Sequence, residues 1–411
     1  MTLREAEEYL LDLELFGMRF GLDRMHKLMT ALGMPQRRFA SIHVVGTNGK
    51  SSTVRFITGI LERHGIRTGS YTSPHLASFT ERVEVGEQPV PGADFAAAVT
   101  RAAHAAELVN RTQEEGDTVT QFEALTAAAY HELARRGVEV AVIEAGLGGR
   151  YDATNVIPSK VQVLTNVGLE HTRWLGPTVK DIAEEKLAVV RDQAVLVTGE
   201  LSAEAEEVAG RVAAERHARL VHAPASADYE LAAPGLFQKR NFALARSAAE
   251  AFLGELDEGA VRLAAAQVRI PGRMQIVADA PLTVLDGAHN PAGARAVAEA
   301  IPEIAGGRRV VGVIGVLDDK DAAGMLRALL PLLDRVVFTR SGNPRSLSPA
   351  TLDSLASKLG GPPSETAAEP RAALARAQEL AGPRGAVLAT GSIYLIADLV
   401  RAEHAARAST L

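Results

Sequence analysis

The chain has 411 residues, 47% hydrophobic and 23% charged, the proportions of a globular protein of two or three domains and not of a disordered or fibrous one. A net charge of −6 gives no general basic footprint for nucleic acid, so an anionic ligand would need a local positive pocket. There are no cysteines, which excludes disulfides, iron–sulfur clusters, thiolate-bound zinc and cysteine nucleophiles, and leaves oxygen or imidazole to hold any metal.

The first residues, MTLREAEEYLLDLELF, are acidic and amphipathic and lack the basic-then-apolar layout of a secretory signal. No apolar run approaches the roughly 18 residues of a membrane span, so the expectation is a cytoplasmic protein with no membrane or nucleic-acid partner. Along the chain, short β-branched apolar runs alternate with longer helical patterns. Strands are predicted over 41–45, 138–143, 161–166, 194–198, 283–285, 309–314, 335–339 and 385–389. Helices are predicted over 52–64, 93–110, 122–136, 180–190, 203–217, 241–253, 292–300, 322–333 and 369–380. This alternation, with several strands apolar throughout, predicts an α/β fold with parallel sheets covered by helices on both faces. IPGR interrupts the pattern within 267–275, and a fresh strand–loop–helix unit follows. The expected organisation is an α/β domain with a parallel sheet over 1–270 and a smaller Rossmann-like domain over 275–411.

Chemistry enters at SIHVVGTNGKSSTVRFITGILERHG, which reads as strand, glycine loop and helix. Gly46 and Gly49 allow a tight loop, Lys50 brings a cation, and the helix N-terminus offers amide groups and a dipole that favour phosphate. The common GxxxxGK[ST] loop would need glycine at position 44, which is Val44, so this is a variant, G-x-x-G-K-S. Glu144 ends an apolar strand just before a glycine turn, where a carboxylate suits magnesium bridging to phosphates. The next strand runs out into Glu170 and His171; the histidine alone is open to a structural hydrogen-bonding role or to metal ligation.

Together these residues resemble one family. GTNGKSS at 46–52, YTSPHL at 71–76, FTERV at 79–83, EAGLGGRYDATN at 144–155, GLEHTRWLG at 168–176, IAEEK at 182–186, PGR at 271–273 and DGAHNP at 286–291 stand in its order and spacing. It is the folylpolyglutamate synthase/dihydrofolate synthase branch of the Mur ligase superfamily, and the likeness runs from FGLDRMHKL to ATGSIYLIADLV. The resemblance implies that 1–270 is a P-loop ATP-binding domain and 275–411 the glutamate ligase domain of an ATP-dependent amide ligase, in which a phosphorylated carboxylate is attacked by the amine of L-glutamate. The acceptor would be a folate, dihydropteroate or both.

It also implies roles. Gly46, Thr47, Asn48, Gly49, Lys50, Ser51 and Ser52 would hold ATP phosphates, with Asn241, Arg273 and Asp286 as further nucleotide contacts. Ser73, Glu144, His171 and Lys186 would bind magnesium, two ions in all, Lys186 as the carbamate. Lys50, Lys186 and His289 would be catalytic, His289 orienting ATP or the acyl phosphate. Phe122, Tyr151, Asp152 and Ala153 would line a pterin pocket. Without the resemblance each has a plainer reading: Ser73 as a turn residue, Phe122 as core, Arg273 as a linker charge, Asp286 and His289 as caps of the helix near Ala292.

The chain departs from the family at Ser51, where glycine is common, at Thr80, where asparagine is usual, and at LAVVRD after IAEEK, where a glycine-containing run is more usual. Arg19-Phe20 stand where bifunctional members carry an acidic residue. Two other functions fit parts of the pattern: a Mur-type ligase for another substrate, and a P-loop regulatory nucleotidase. The first usually carries a third, N-terminal domain; the second would not need DGAHN. A monomer with its active site in the cleft between the domains is expected.

Overall fold

In a computed structural model, which describes residues 1–13, 21–114 and 116–401, the chain forms two units. The first is Met1–Glu230 with Arg240–Val268; the second is Leu231–Lys239 with the described residues from 269 onward. Arg19-Phe20 lie outside the described residues.

The first unit carries β1 (Ala40–Val45), β2 (Thr68–Tyr71), β3 (Val83–Val85), β4 (Gln88–Pro89), β5 (Val140–Glu144), β6 (Val161–Leu164), β7 (Val195–Thr198) and β8 (Arg219–His222). They form one sheet in the order β4-β3-β2-β5-β1-β6-β7-β8. The pairs from β2 to β8 are parallel, and β3 and β4 add an antiparallel edge. Every residue of β5 and all but the first of β1 are buried, as apolar strands sheathed on both faces must be.

The register of the central strands builds the site. Tyr71 lies opposite Ile143, Val44 opposite Glu144, and Val45 opposite Leu164. The carboxyl ends of β2, β5, β1 and β6 therefore open side by side, where ligands gather in such sheets. The helix Gln121–Arg135 starts with Thr120 and Glu123 capping each other, and Glu123 also receives Nε of the buried Arg24 at 3.1 Å. That grip sets Phe122 in the first helical turn.

The second unit carries β9 (Gln275–Asp279), β10 (Leu282–Leu285), β11 (Val310–Ile314), β12 (Arg335–Phe338), β13 (Ser364–Thr366) and β14 (Ala386–Thr390), in the order β13-β12-β11-β14-β10-β9. All pairs are parallel except β9–β10. Val297, Ile301, Leu326, Leu329, Phe338 and Leu388 fill its core between sheet and helices. Among the described residues no helix is long and apolar enough to cross a membrane.

The sequence pattern places the central strands within two residues of their observed ends, and it misses β2, β3, β4, β8, β9 and β13. β2 reads TGSY, with one large apolar side chain, yet all four residues are buried, because its neighbours on both sides and not its own composition make it a strand. The helix expected from 52 starts at Lys50, after Gly49 as a left-handed N-cap at φ 82°. The helix expected over 241–253 starts at Leu236, and the one expected over 322–333 ends at Leu329, followed by a 3₁₀ turn.

Candidate active site

The loop between β1 and the helix Lys50–Arg63 is shaped by what packs beneath it. Gly46, at φ 146°, lies against Thr165, and a side chain there would run into Thr165 Oγ1. Gly49 lies in the same way against Asn241 Oδ1, which places the Asn241 side chain beside the loop. Thr165 Oγ1 donates to the Asn48 carbonyl at 2.7 Å, and Asn166 clasps the same residue through both amide atoms, at 3.0 and 3.1 Å. The Thr47 amide donates to the Asn166 carbonyl at 3.0 Å. Thr47 and Asn48 thus tie the loop down with their amides. The first helical bond runs from Thr53 N–H to Gly49 O at 2.9 Å, so the amides of Lys50, Ser51 and Ser52 precede the ladder at the positive end of the dipole.

Two lysines converge on this loop. Lys50 Nζ donates to the carbonyls of Gly46 at 3.2 Å and Thr47 at 3.1 Å. Lys186, on the helix Val179–Leu187, donates to the same Gly46 carbonyl at 2.9 Å from a position only 4% exposed. Burial first, and the Lys50 charge second, push the Lys186 ammonium down to about 7, with Glu170 opposing. Gly149 makes this approach feasible: a side chain there would press on the backbone of Glu185 and Lys186.

Glu144, 2% exposed at the end of β5, faces the loop. Its Oε1 accepts from Ser51 Oγ at 3.0 Å and its Oε2 from the Ser73 amide at 3.2 Å, so three of the residues read from sequence meet at one carboxylate. A buried carboxylate beside the Ser51 hydroxyl offers hard oxygen donors of the kind magnesium takes. His171 sits beyond β6 with its Nε2 3.9 Å from Glu170 Oε1, at a left-handed position (φ 51°) that starts the short helix Thr172–Leu175. That helix carries Trp174, the chain's one tryptophan, 41% exposed with the Arg173 guanidinium 5.3 Å from its ring. Among the described residues no three of histidine, aspartate and glutamate group as a metal cluster, and the expected set contains only two of these types, Glu144 and His171.

The loop after Glu144 is braced from inside the sheet, which sequence reading missed. Asp152 Oδ2 accepts from the Leu147 amide at 2.7 Å and its Oδ1 from the Thr154 amide at 3.0 Å and the Thr154 hydroxyl. Burial raises the Asp152 carboxyl and these hydrogen bonds oppose the rise. The Thr154 hydroxyl, spent on Asp152, accepts from His43 Nε2 at 2.8 Å, which fixes the histidine tautomer. Tyr130 donates to the Thr154 carbonyl at 3.0 Å. Of the expected pterin contacts, Asp152 and Ala153 are buried in this bracing, whereas Tyr151 is 36% exposed and Phe122 packs its ring against Gly146 and Tyr71. The signal for His43 was a histidine within an otherwise apolar strand.

Full burial, aided by the Arg191 charge, drives His43 down to about 3, well below its ordinary value. Between about pH 6.5 and 3 the unfolded chain binds a proton there that the folded chain refuses, so stability is lost as pH is lowered through that window. The variant His43→Asn is expected to flatten the acid limb of unfolding stability by up to about 1.4 kcal/mol per pH unit. Denaturant unfolding at a series of pH values checks this; parallel limbs for the two proteins would refute it.

In the second unit, Asp286 is 2% exposed and accepts from the Met274 amide at 2.9 Å and the Ala288 amide at 2.8 Å. Burial raises its carboxyl, and the Arg273 charge opposes that. Gly287 N–H donates to the Gly272 carbonyl at 2.9 Å, joining PGR to DGAHN, and His289 Nδ1 lies 3.0 Å from the Gly287 carbonyl. The helix Pro291–Ala305 is capped by Asn290, whose Oδ1 accepts from Gly293 N at 2.8 Å, so neither Asp286 nor His289 serves as its cap.

A phosphate-type loop with paired lysines, on a doubly covered parallel sheet, joined to a second α/β unit, defines a nucleotide-dependent ligase of Mur type, and residues 272–393 match the Mur ligase, glutamate ligase domain. The dihydrofolate synthase/folylpolyglutamate synthase of Mycobacterium tuberculosis is 36% identical over 83% of this chain and 78% of its own length; that of Bacillus subtilis is 32% identical over 93% and 95%. Among solved structures, M. tuberculosis folylpolyglutamate synthase complexed with ADP superposes with a TM-score of 0.90 at 33% identity, covering 97% of both chains. The Escherichia coli FolC protein in complex with DHPP and ADP gives 0.86 at 31%, again covering 97% of both. The chain belongs to the dihydrofolate synthase/folylpolyglutamate synthase family.

Proposed function

We propose that the chain is an ATP-dependent carbon–nitrogen ligase that adds L-glutamate to a folate, with dihydropteroate as a second acceptor. The observation that carries this reading is Lys50 at the start of a helix, held on the loop carbonyls of Gly46 and Thr47 beside buried Glu144. It is a cradle for polyphosphate, and the relatives' names supply the acceptor. A carboxylate is a poor electrophile because its oxygen leaves badly. In the first step an acceptor carboxylate oxygen bonds to the γ-phosphorus as the bond to the bridging oxygen breaks and ADP leaves. In the second, the glutamate amine attacks the acyl carbon, loses its proton, and phosphate departs. Lys50 and the amides of residues 50–52 hold the charge that builds on the transferring phosphoryl group.

Magnesium fits the donor set and would neutralise phosphate charge when bound, with Ser73, Glu144, His171 and the Lys186 carbamate as its ligands. Arg273, Asp286 and His289 are proposed nucleotide and acyl-phosphate contacts, and Phe122 and Tyr151 the pterin contacts. We further propose a monomer acting in the cytoplasm. The test offers tetrahydrofolate and dihydropteroate separately with glutamate and ATP, and follows both product and ADP. The expected result is ADP release that requires acceptor and glutamate together; release without either would favour a nucleotidase. Product from an amino acid other than glutamate would favour a different Mur-type ligase.

A further inference from the structure

We propose that Arg191 is a positioning residue that holds the loop 150–157, and with it Tyr151, in shape by acting through Asn155. The inference rests on the reading of Tyr151 as a pterin contact. Arg191 belongs to LAVVRD, a run singled out in the sequence and still without a role, and it follows the helix that carries Lys186. Its Nη2 donates to the Asn155 carbonyl and to Asn155 Oδ1, both at 2.7 Å, and to the Ile157 carbonyl at 3.2 Å. With Oδ1 taken by a cation the Asn155 amide has one orientation, its Nδ2 turned to the Arg150 carbonyl at 3.1 Å. Asn155 is therefore a clasp that closes the chain from 150 to 155 on itself. Within that closed stretch Asp152, Ala153 and Thr154 are buried, and Tyr151 is left 36% exposed. The start of the stretch is held too, the Arg150 amide donating to the Glu185 carbonyl at 3.0 Å. Burial lowers the Arg191 guanidinium from its ordinary value and still leaves it charged. Without it the Asn155 and Ile157 oxygens lose a charged donor, and the Asn155 amide can turn away from Arg150.

The experiment compares the full chain with its variants Arg191→Met, Arg191→Lys and Asn155→Ala, using tetrahydrofolate, glutamate and ATP. It measures kcat, the KM for each substrate, and hydrogen exchange of the amides of residues 150–157 in the protein without substrates. Expected for Arg191→Met and Asn155→Ala is a tetrahydrofolate KM raised about tenfold, with kcat and the KM for ATP held within about twofold, because a hydrogen-bonded shape is lost and not a reacting group. Exchange over 150–157 is expected to quicken in both. Arg191→Lys keeps a charged donor for Asn155 and is expected to restore both the KM and the slow exchange. An unchanged tetrahydrofolate KM in Arg191→Met would overturn the proposal. So would an equal rise in the KM for ATP, which would make Arg191 a general support of the fold. Tyr151→Ala separates this from the reading beneath it. A raised tetrahydrofolate KM there, with none in Arg191→Met, defeats the Arg191 proposal alone; no change in either defeats the reading of Tyr151 as well.

Discussion

Lys50→Ala is expected to lower ligation by at least about 10³-fold while the unfolding midpoint stays within a few degrees of wild type. Among the described residues the ammonium donates to the loop carbonyls of Gly46 and Thr47, and the loop is tied down independently by Thr165 and Asn166. The fold therefore loses little. The reaction loses the cation at the head of the helix, where phosphate charge collects. Lys186 reaches the same carbonyl but is a weak substitute, since its ammonium, pushed down to about 7, is about half neutral at neutral pH. Steady-state turnover with a thermal melt on the same preparation decides it, and near-normal turnover in a folded variant would remove Lys50 from the mechanism.

The second large effect is expected at Lys186→Arg, which keeps a cation but cannot form a carbamate: loss of most activity, on the order of 10²-fold or more. A carbamate forms when the neutral amine attacks carbon dioxide and releases a proton, so the amine must be neutral first. For an ordinary lysine the ammonium persists to about pH 10.4. Here the folded value is lowered to about 7, so at fixed dissolved carbon dioxide the carbamate should grow as pH rises through 7 and disappear below it. Carbon-13 spectroscopy after labelled bicarbonate should show a carbamate signal in wild type with this pH dependence, absent in Lys186→Arg. Normal turnover in the variant and no such signal would leave Lys186 as a buried cation that anchors Gly46.

What the sequence made legible follows from where the physics is local. The run SIHVV and the spacing of Gly46, Gly49 and Lys50 announce a strand, a tight loop and a helix, because each is dictated by residues within a few positions. Glu144 at the strand end was legible for the same reason. β2 was not: TGSY becomes a strand only because β3 and β5 flank it. Asn241 could be named only through resemblance, since nothing in its own helix hints that its side chain lies where a Cβ on Gly49 would stand. The bracing of Asp152 by Thr154 and His43 joins residues more than a hundred positions apart and leaves no periodic trace. Composition, too, was a poor guide to charge: a chain of net −6 places two lysines on one carbonyl, because local packing and not the total sets the field.

The short helix after His171 has a practical consequence. Its indole is the chain's only one and stands three residues beyond His171, 41% exposed. All tryptophan emission therefore comes from one known place next to the candidate metal ligand, with no background from elsewhere in either unit. A half-exposed indole responds strongly to a change in its contact with water, and a guanidinium 5.3 Å from its ring is already a neighbour able to move. The protein thus carries a single optical probe in the helix that follows His171, usable without attaching a label.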